Sequence, residues 1–124
     1  MTRTILIVED ADTCLATLEI ALSAIPGASI RTASSAEQAL EFLARHHAAA
    51  VVTDLHLPGL SGFDLIERLH ALPPHARPAL MVISGDPDPA SPQRARSLGA
   101  DAFFAKPYSP AEVRRTLESL IHAT

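Results

Sequence analysis

Apolar and β-branched residues recur in runs of strand length, at positions 5–8, 28–32, 50–53, 80–84 and 102–105, with helical periodicity between them. In the first helical stretch Leu15, Leu18, Leu22 and Ile25 fall on one face, and Pro26-Gly27 stops it. The second follows Ser34, with Glu37 three residues on as the acid of a capping box, and lines one face with Ala36, Ala39, Leu40 and Leu43. The third carries Leu65, Ile66 and Leu69 before Pro73-Pro74. The fourth is confined by Pro87, Pro89 and Pro92 to a short helix over 92–98. The last opens with Ser109 as N-cap, Pro110 in the first turn and Glu112 as box acid, then buries Val113, Leu117, Leu120 and Ile121. Strands without a period-2 polarity, alternating with helices, indicate a parallel sheet covered on both faces. The predicted architecture is α/β, a three-layer α/β/α sandwich of five β/α units.

Composition narrows this picture without changing it. The 124 residues fit one domain, 1–124, with 48% hydrophobic and 19% charged residues. A net charge of −4, with Arg114-Arg115 as the only adjacent basic pair, argues against direct nucleic-acid binding. No apolar run is long enough for a membrane span, and ILIV leads straight into Glu9 and Asp10, so a soluble cytoplasmic protein is expected. Cys14 is alone, cannot form an internal disulfide, and reads as a small buried residue in the first helix. His46 and His47 end the second helix, where imidazole suits the helix dipole, and no His-rich metal spacing is present.

In open parallel sheets, ligands bind beyond the carboxyl ends of the strands. Here those ends carry matching chemistry: Glu9-Asp10 after the first run, Asp54 after the third, Ser84 closing the fourth and Lys106-Pro107 after the fifth. Clustered carboxylates repel, and Mg2+ satisfies such a set with one or two carboxylates, waters and a phosphoryl oxygen. Lys106 and Ser84 supply a point charge and a donor for equatorial phosphoryl oxygens, and a carboxylate can itself accept the phosphoryl group. Each residue has a plainer role: the acidic pair could cap the first helix, Asp54 could be a turn residue, Ser84-Gly85 a strand exit and Lys106 a solvated cation. Their coincidence at four strand ends favours the functional set.

The segments ILIVED, VVTDLHLPGLSG, VISG and FFAKP resemble those of receiver domains of two-component response regulators, the CheY-like superfamily, and the resemblance covers the whole chain. It implies a flavodoxin-like sheet of order 2-1-3-4-5. It also implies that Asp54 is the phosphoacceptor, with a sensor histidine kinase or histidine phosphotransfer protein as donor. By the same resemblance Mg2+ is bound by Asp10 and Asp54, by Glu9 largely through water, and by the His56 backbone carbonyl. Lys106 pairs with acceptor and phosphoryl oxygens, and the Lys106–Pro107 bond is cis. Ser84 and Phe103 form the switch. Phosphorylation adds about −1.5 to −2 charge units at Asp54. Ser84 moves toward the phosphoryl group, and the Phe103 ring turns inward and reshapes the face of the fourth helix, fifth strand and fifth helix, where a downstream protein docks.

The chain departs from the commonest pattern at Glu9, Ser84 and Leu57 and in the proline-rich stretch after Gly85, with no required chemical group lost. His56 and Asp86 occupy positions that resemble the family's tuners of dephosphorylation. The implied activity is that of a signalling phosphoacceptor that promotes its own phosphorylation and dephosphorylation, with no separate substrate. A start at Met1 favours a free-standing protein over the receiver module of a hybrid kinase or longer regulator. An interaction module that works without phosphorylation is disfavoured by the complete residue set. An aspartyl-phosphate phosphohydrolase would need an acid where His56 stands, and a cap domain. An exposed apolar patch around the last two helices would point to a homodimer.

Overall fold

The computed structural model describes residues 2–122. Strands β1 (Arg3–Val8), β2 (Ala28–Ala33), β3 (Ala50–Thr53), β4 (Ala79–Ser84) and β5 (Ala102–Ala105) alternate with helices α1 (Asp12–Ser23), α2 (Ala36–Arg45), α3 (Gly62–His70), α4 (Ser91–Leu98) and α5 (Pro110–His122). A 3-10 turn, Pro74–Ala76, follows α3 where the proline pair stops it. All strand pairs are parallel, in the order β2-β1-β3-β4-β5. The reversal of order between β1 and β3 places their carboxyl ends side by side, with Val8 opposite Thr53.

Successive residues of a strand face opposite ways, so each central strand feeds two cores. Ile5 and Ile7 of β1, Val52 of β3, and Met81 and Ile83 of β4 pack with Leu18 and Leu22 of α1 and with Val113, Leu117 and Ile121 of α5. Leu6, Val8, Val51, Leu80 and Val82 face the other way, onto Ala36 and Ala39 of α2, Leu65, Ile66 and Leu69 of α3, and Ala95 of α4. Full burial of each such aliphatic chain stabilises the fold by about 1.5–3 kcal/mol. This is why β1, β3 and β4 read as uninterrupted apolar runs. Edge strand β2 is the exception, since Arg31 and Thr32 are exposed.

The helix starts depart from expectation in detail. The cap of α2 is Ser35, whose Oγ accepts from the Gln38 amide at 3.1 Å, and not Ser34. Ser34 instead donates its N–H and hydroxyl to the Gln38 side-chain oxygen. Glu37 is not a box acid: its carboxylate accepts from the Leu60 amide, in the loop leading to α3. At α5, Ser109 Oγ accepts from the Glu112 amide at 3.3 Å, and only this half of the expected box forms. A complete box appears where none was expected, between Ser61 and Asp64 at the start of α3. Asp64 is held below the usual carboxylate range by its hydrogen bonds from the Ser61 amide and hydroxyl.

Candidate functional site

The site is built where β1, β3, β4 and β5 end. The amide of Asp54 donates to the Val8 carbonyl at 3.2 Å, which ties the end of β3 to that of β1. Asp54 is 8% exposed. Its Oδ1 accepts from the Leu55 amide at 2.6 Å and the His56 amide at 3.2 Å, and its Oδ2 accepts from Lys106 Nζ at 3.0 Å. Lys106 comes from the end of β5, where its own amide donates to the Ser84 carbonyl at 2.9 Å and the Lys106–Pro107 peptide bond is cis. The same ammonium lies 3.5 Å from Glu9 Oε2, so one cation bridges two carboxylates.

Electrostatics here follow from burial. Glu9 is 3% exposed, and its carboxyl is pushed above the ordinary range by burial and then by the charge of Asp54, against the pull of Lys106. Burial alone would lower Lys106; the hydrogen bond and charge of Asp54, with the charge of Glu9, override it and hold the ammonium above its usual range. The acidic pair does not cap α1: the N-cap is Ala11, without a side-chain cap, and Glu9 Oε1 accepts from the Ala11 amide itself. The capping role open to the pair from sequence alone is therefore removed. Asp10 is exposed beside it.

A second set of contacts links the exits of β3 and β4. His56 Nε2 lies 3.3 Å from Asp86 Oδ2, and the same oxygen accepts from Ser91 Oγ at 3.0 Å. Asp86 is held low first by the Asp88 amide, then by the Ser91 hydroxyl, with His56 adding to both. Residues 84–91, SGDPDPAS, form a ladder of bonds spaced two residues apart. Asp86 N donates to Ser84 Oγ at 3.1 Å, Asp88 N to Asp86 Oδ1 at 2.9 Å, and Ala90 N to Asp88 Oδ1 at 2.9 Å. Pro87 and Pro89 stand between, with no N–H to offer and φ fixed by their rings. Ser84 itself is 1% exposed.

The structure thus brings Glu9, Asp54 and Lys106 into direct contact and joins Ser84, Asp86 and His56 to their edge. Phe103 is half-buried in β5, opposite Val82, and packs on the α2-α3-α4 side of the sheet. Two contributors escaped the sequence reading. Thr53 Oγ1, buried, donates to the Asp54 carbonyl at 2.8 Å. Gly62 packs so tightly on that carbonyl that a Cβ would collide with it, and its amide donates to the Leu55 carbonyl at 2.8 Å. The second glycine of LPGLSG was the available signal for this close approach.

Among the described residues no three acidic, histidine or cysteine side chains converge as a metal-binding set. The donor chemistry nevertheless suits Mg2+, which needs only one or two carboxylates beside waters and phosphoryl oxygen. Glu9 and Asp54 are both buried, and Glu9 is pushed up first by burial and then by the charge of Asp54, an arrangement that a divalent cation would relieve.

Comparison with known proteins agrees with this geometry. The family model for the response regulator receiver domain matches residues 5–118. A sensory/regulatory protein, RpfC of Xanthomonas campestris, is 32% identical over 100 residues, which are 79% of this chain and 14% of the much longer relative. A probable chemotaxis protein CheY of Rhizobium etli is 26% identical over 119 residues, 96% of this chain and 92% of that protein. The crystal structure of a putative response regulator from Chloroflexus aurantiacus superposes with a TM-score of 0.90 at 28% identity, covering 98% of this chain and 99% of the other. The strand order, the buried aspartate with its lysine and the family match over nearly the whole length lead to one conclusion: the chain belongs to the response regulator receiver domain family.

Proposed function

We propose that residues 1–124 act as a single receiver unit in which Asp54 accepts a phosphoryl group from a phosphohistidine of a sensor kinase or phosphotransfer protein. The observation that carries this reading is the environment of Asp54: one carboxylate oxygen accepts two backbone amides, and the other accepts Lys106 at 3.0 Å. In the transfer, an Asp54 oxygen forms the new bond to phosphorus, the phosphorus–nitrogen bond of the donor breaks, and the imidazole leaves with its electron pair. Lys106 stays at the reacting centre and meets the charge that develops on the phosphoryl oxygens. Ser84 Oγ accepts from the Asp86 amide, which leaves its own proton for a phosphoryl oxygen. Asp10, Asp54 and the His56 carbonyl, with Glu9 largely through water, would hold Mg2+, which would supply charge neutralisation for the transfer.

His56 and Asp86 act as a joined pair on the lifetime of the phosphoryl group, since both border the path of an attacking water. An unchanged decay rate in a His56→Ala, Asp86→Ala double variant would refute that role. Movement of Ser84 opens space for the Phe103 ring, and the α4-β5-α5 face changes shape for a downstream protein. Among the described residues no helix is long and apolar enough to cross a membrane. Regions similar to this chain occur both in a relative of similar length and in a much longer one.

Intact mass after incubation with a small acyl phosphate, with and without Mg2+, tests the acceptor directly. One phosphoryl group gained only with Mg2+, and lost in Asp54→Asn, is the expected result; no gain under any condition overturns the reading. Mg2+ alone, at about a hundredfold excess over its dissociation constant, should raise stability by about 2.7 kcal/mol.

A further inference from the structure

Two adjoining hollows of about 730 and 330 Å3 share His47, Ala48, Leu69 and Pro78 and form one groove. It lies at the amino-terminal ends of β1, β4 and β5, the end of the sheet opposite Asp54. Its floor is apolar, with Ala48, Leu69 and Leu80, and Leu72, 36% exposed, stands at its edge. Its rim is cationic: Arg3, Arg45 and Arg77 line it together with four histidines. In a chain of net charge −4, this lining holds a single carboxylate, Asp101, whose Oδ2 is occupied by the Leu80 amide at 2.8 Å.

The three guanidiniums have no carboxylate within ion-pair distance among the described residues. Main-chain carbonyls fix two of them instead: Arg3 Nη1 donates to Ile121 at 2.6 Å, and Arg77 Nε to Leu72 at 2.8 Å. An arginine fork has five N–H donors, so each is oriented while most of its donors remain for a ligand. His70 is also placed in advance, because its ring lies against Gly99 so closely that a Cβ there would come within 2.5 Å of Nδ1. Cations oriented in this way, and not neutralised by the fold, favour an anionic partner at little ordering cost.

We infer that this groove docks an acidic segment of a partner protein, with carboxylates on the guanidinium rim and a leucine-sized side chain on the floor. Arg3 and Arg77 line the larger hollow and Arg45 the smaller, so the cations are distributed along the groove. That distribution suits a row of carboxylates along a chain better than a single phosphate. The groove is remote from Asp54, so docking does not compete with phosphoryl transfer.

The test is fluorescence anisotropy of the whole protein with a labelled glutamate-rich peptide carrying leucines at helical spacing, beside the same peptide with glutamine for glutamate. Saturable binding that weakens with salt and falls by about tenfold or more with either the glutamine peptide or an Arg45→Glu, Arg77→Glu variant supports the inference, about 1.4 kcal/mol or more of charge-dependent affinity. The variant's unchanged uptake of phosphoryl on Asp54 would show that it is folded. Equal binding of the two peptides, or full binding by the variant, overturns the inference. So does inorganic pyrophosphate displacing the peptide at equal concentration, which marks a small-anion site. Self-association that the variant abolishes also overturns it, by making the occupant a second copy.

Discussion

α4 and α5 lie on opposite faces of the sheet beside β4 and β5, and opposite means hold them. α5 runs for 13 residues and buries Val113, Leu117 and Ile121 in the core it shares with α1. α4 runs for eight, and its buried residues are Ser91 and Ala95, which bring little apolar surface. Beyond Ala95 and the half-buried Leu98, what fixes α4 is peripheral: the Ser91 hydroxyl on Asp86, and the Arg94 guanidinium 3.9 Å from the centroid of the Phe63 ring on α3. Burial is non-directional and hard to reverse, whereas a few polar contacts can be exchanged for others of similar energy. A face made from one anchored and one lightly seated helix can change shape without unfolding.

The largest effect should come from the anchored helix. Leu117→Ala removes a fully buried side chain and should cost about 2–5 kcal/mol in urea denaturation. No single truncation on α4 should approach that. A comparable loss from Ala95→Gly, beyond the roughly 1 kcal/mol of helix propensity, would erase the contrast. Ser91→Ala should cost about 1 kcal/mol, the worth of one hydrogen bond, while hydrogen exchange in α4 rises and that in α5 does not. Arg94→Ala is expected to cost about 0.5–1 kcal/mol.

Acid should separate the two helices by a smaller margin. Asp86 has a depressed pKa, so the stability it contributes is present above the ordinary carboxylate value and is lost as pH falls through the lower folded one. Amides of α4 should therefore lose protection in that acidic window before those of α5. Simultaneous loss in both would mean that Asp86 does not hold α4.

This contrast also marks what could be read along the chain. The strands were legible because β1, β3 and β4 are buried on both faces, and the bounds of α4 because prolines leave few alternatives. The strand-end residues were legible because parallel topology gathers them whatever the loops do. The start of α2 was misplaced by one residue. Ser34 and Ser35 offer two registers, and the selection depends on Gln38 serving Ser34 while Glu37 is drawn to Leu60, 23 residues away. The His56–Asp86 contact and the cationic groove share that difficulty, since both arise only when distant segments meet.

The ladder from Ser84 to Ala90 has a consequence for loop length. Its donors fall on 86, 88 and 90, and the two residues between them, Pro87 and Pro89, have no N–H to donate. Loops commonly absorb an inserted residue with little harm. Here one insertion after Gly85 would part the Asp86 amide from Ser84 Oγ, while the Asp88 and Ala90 bonds travel with the shifted block. The connection is therefore sensitive to length at its Ser84 end, and an insertion between Asp86 and Asp88 would instead break the middle rung.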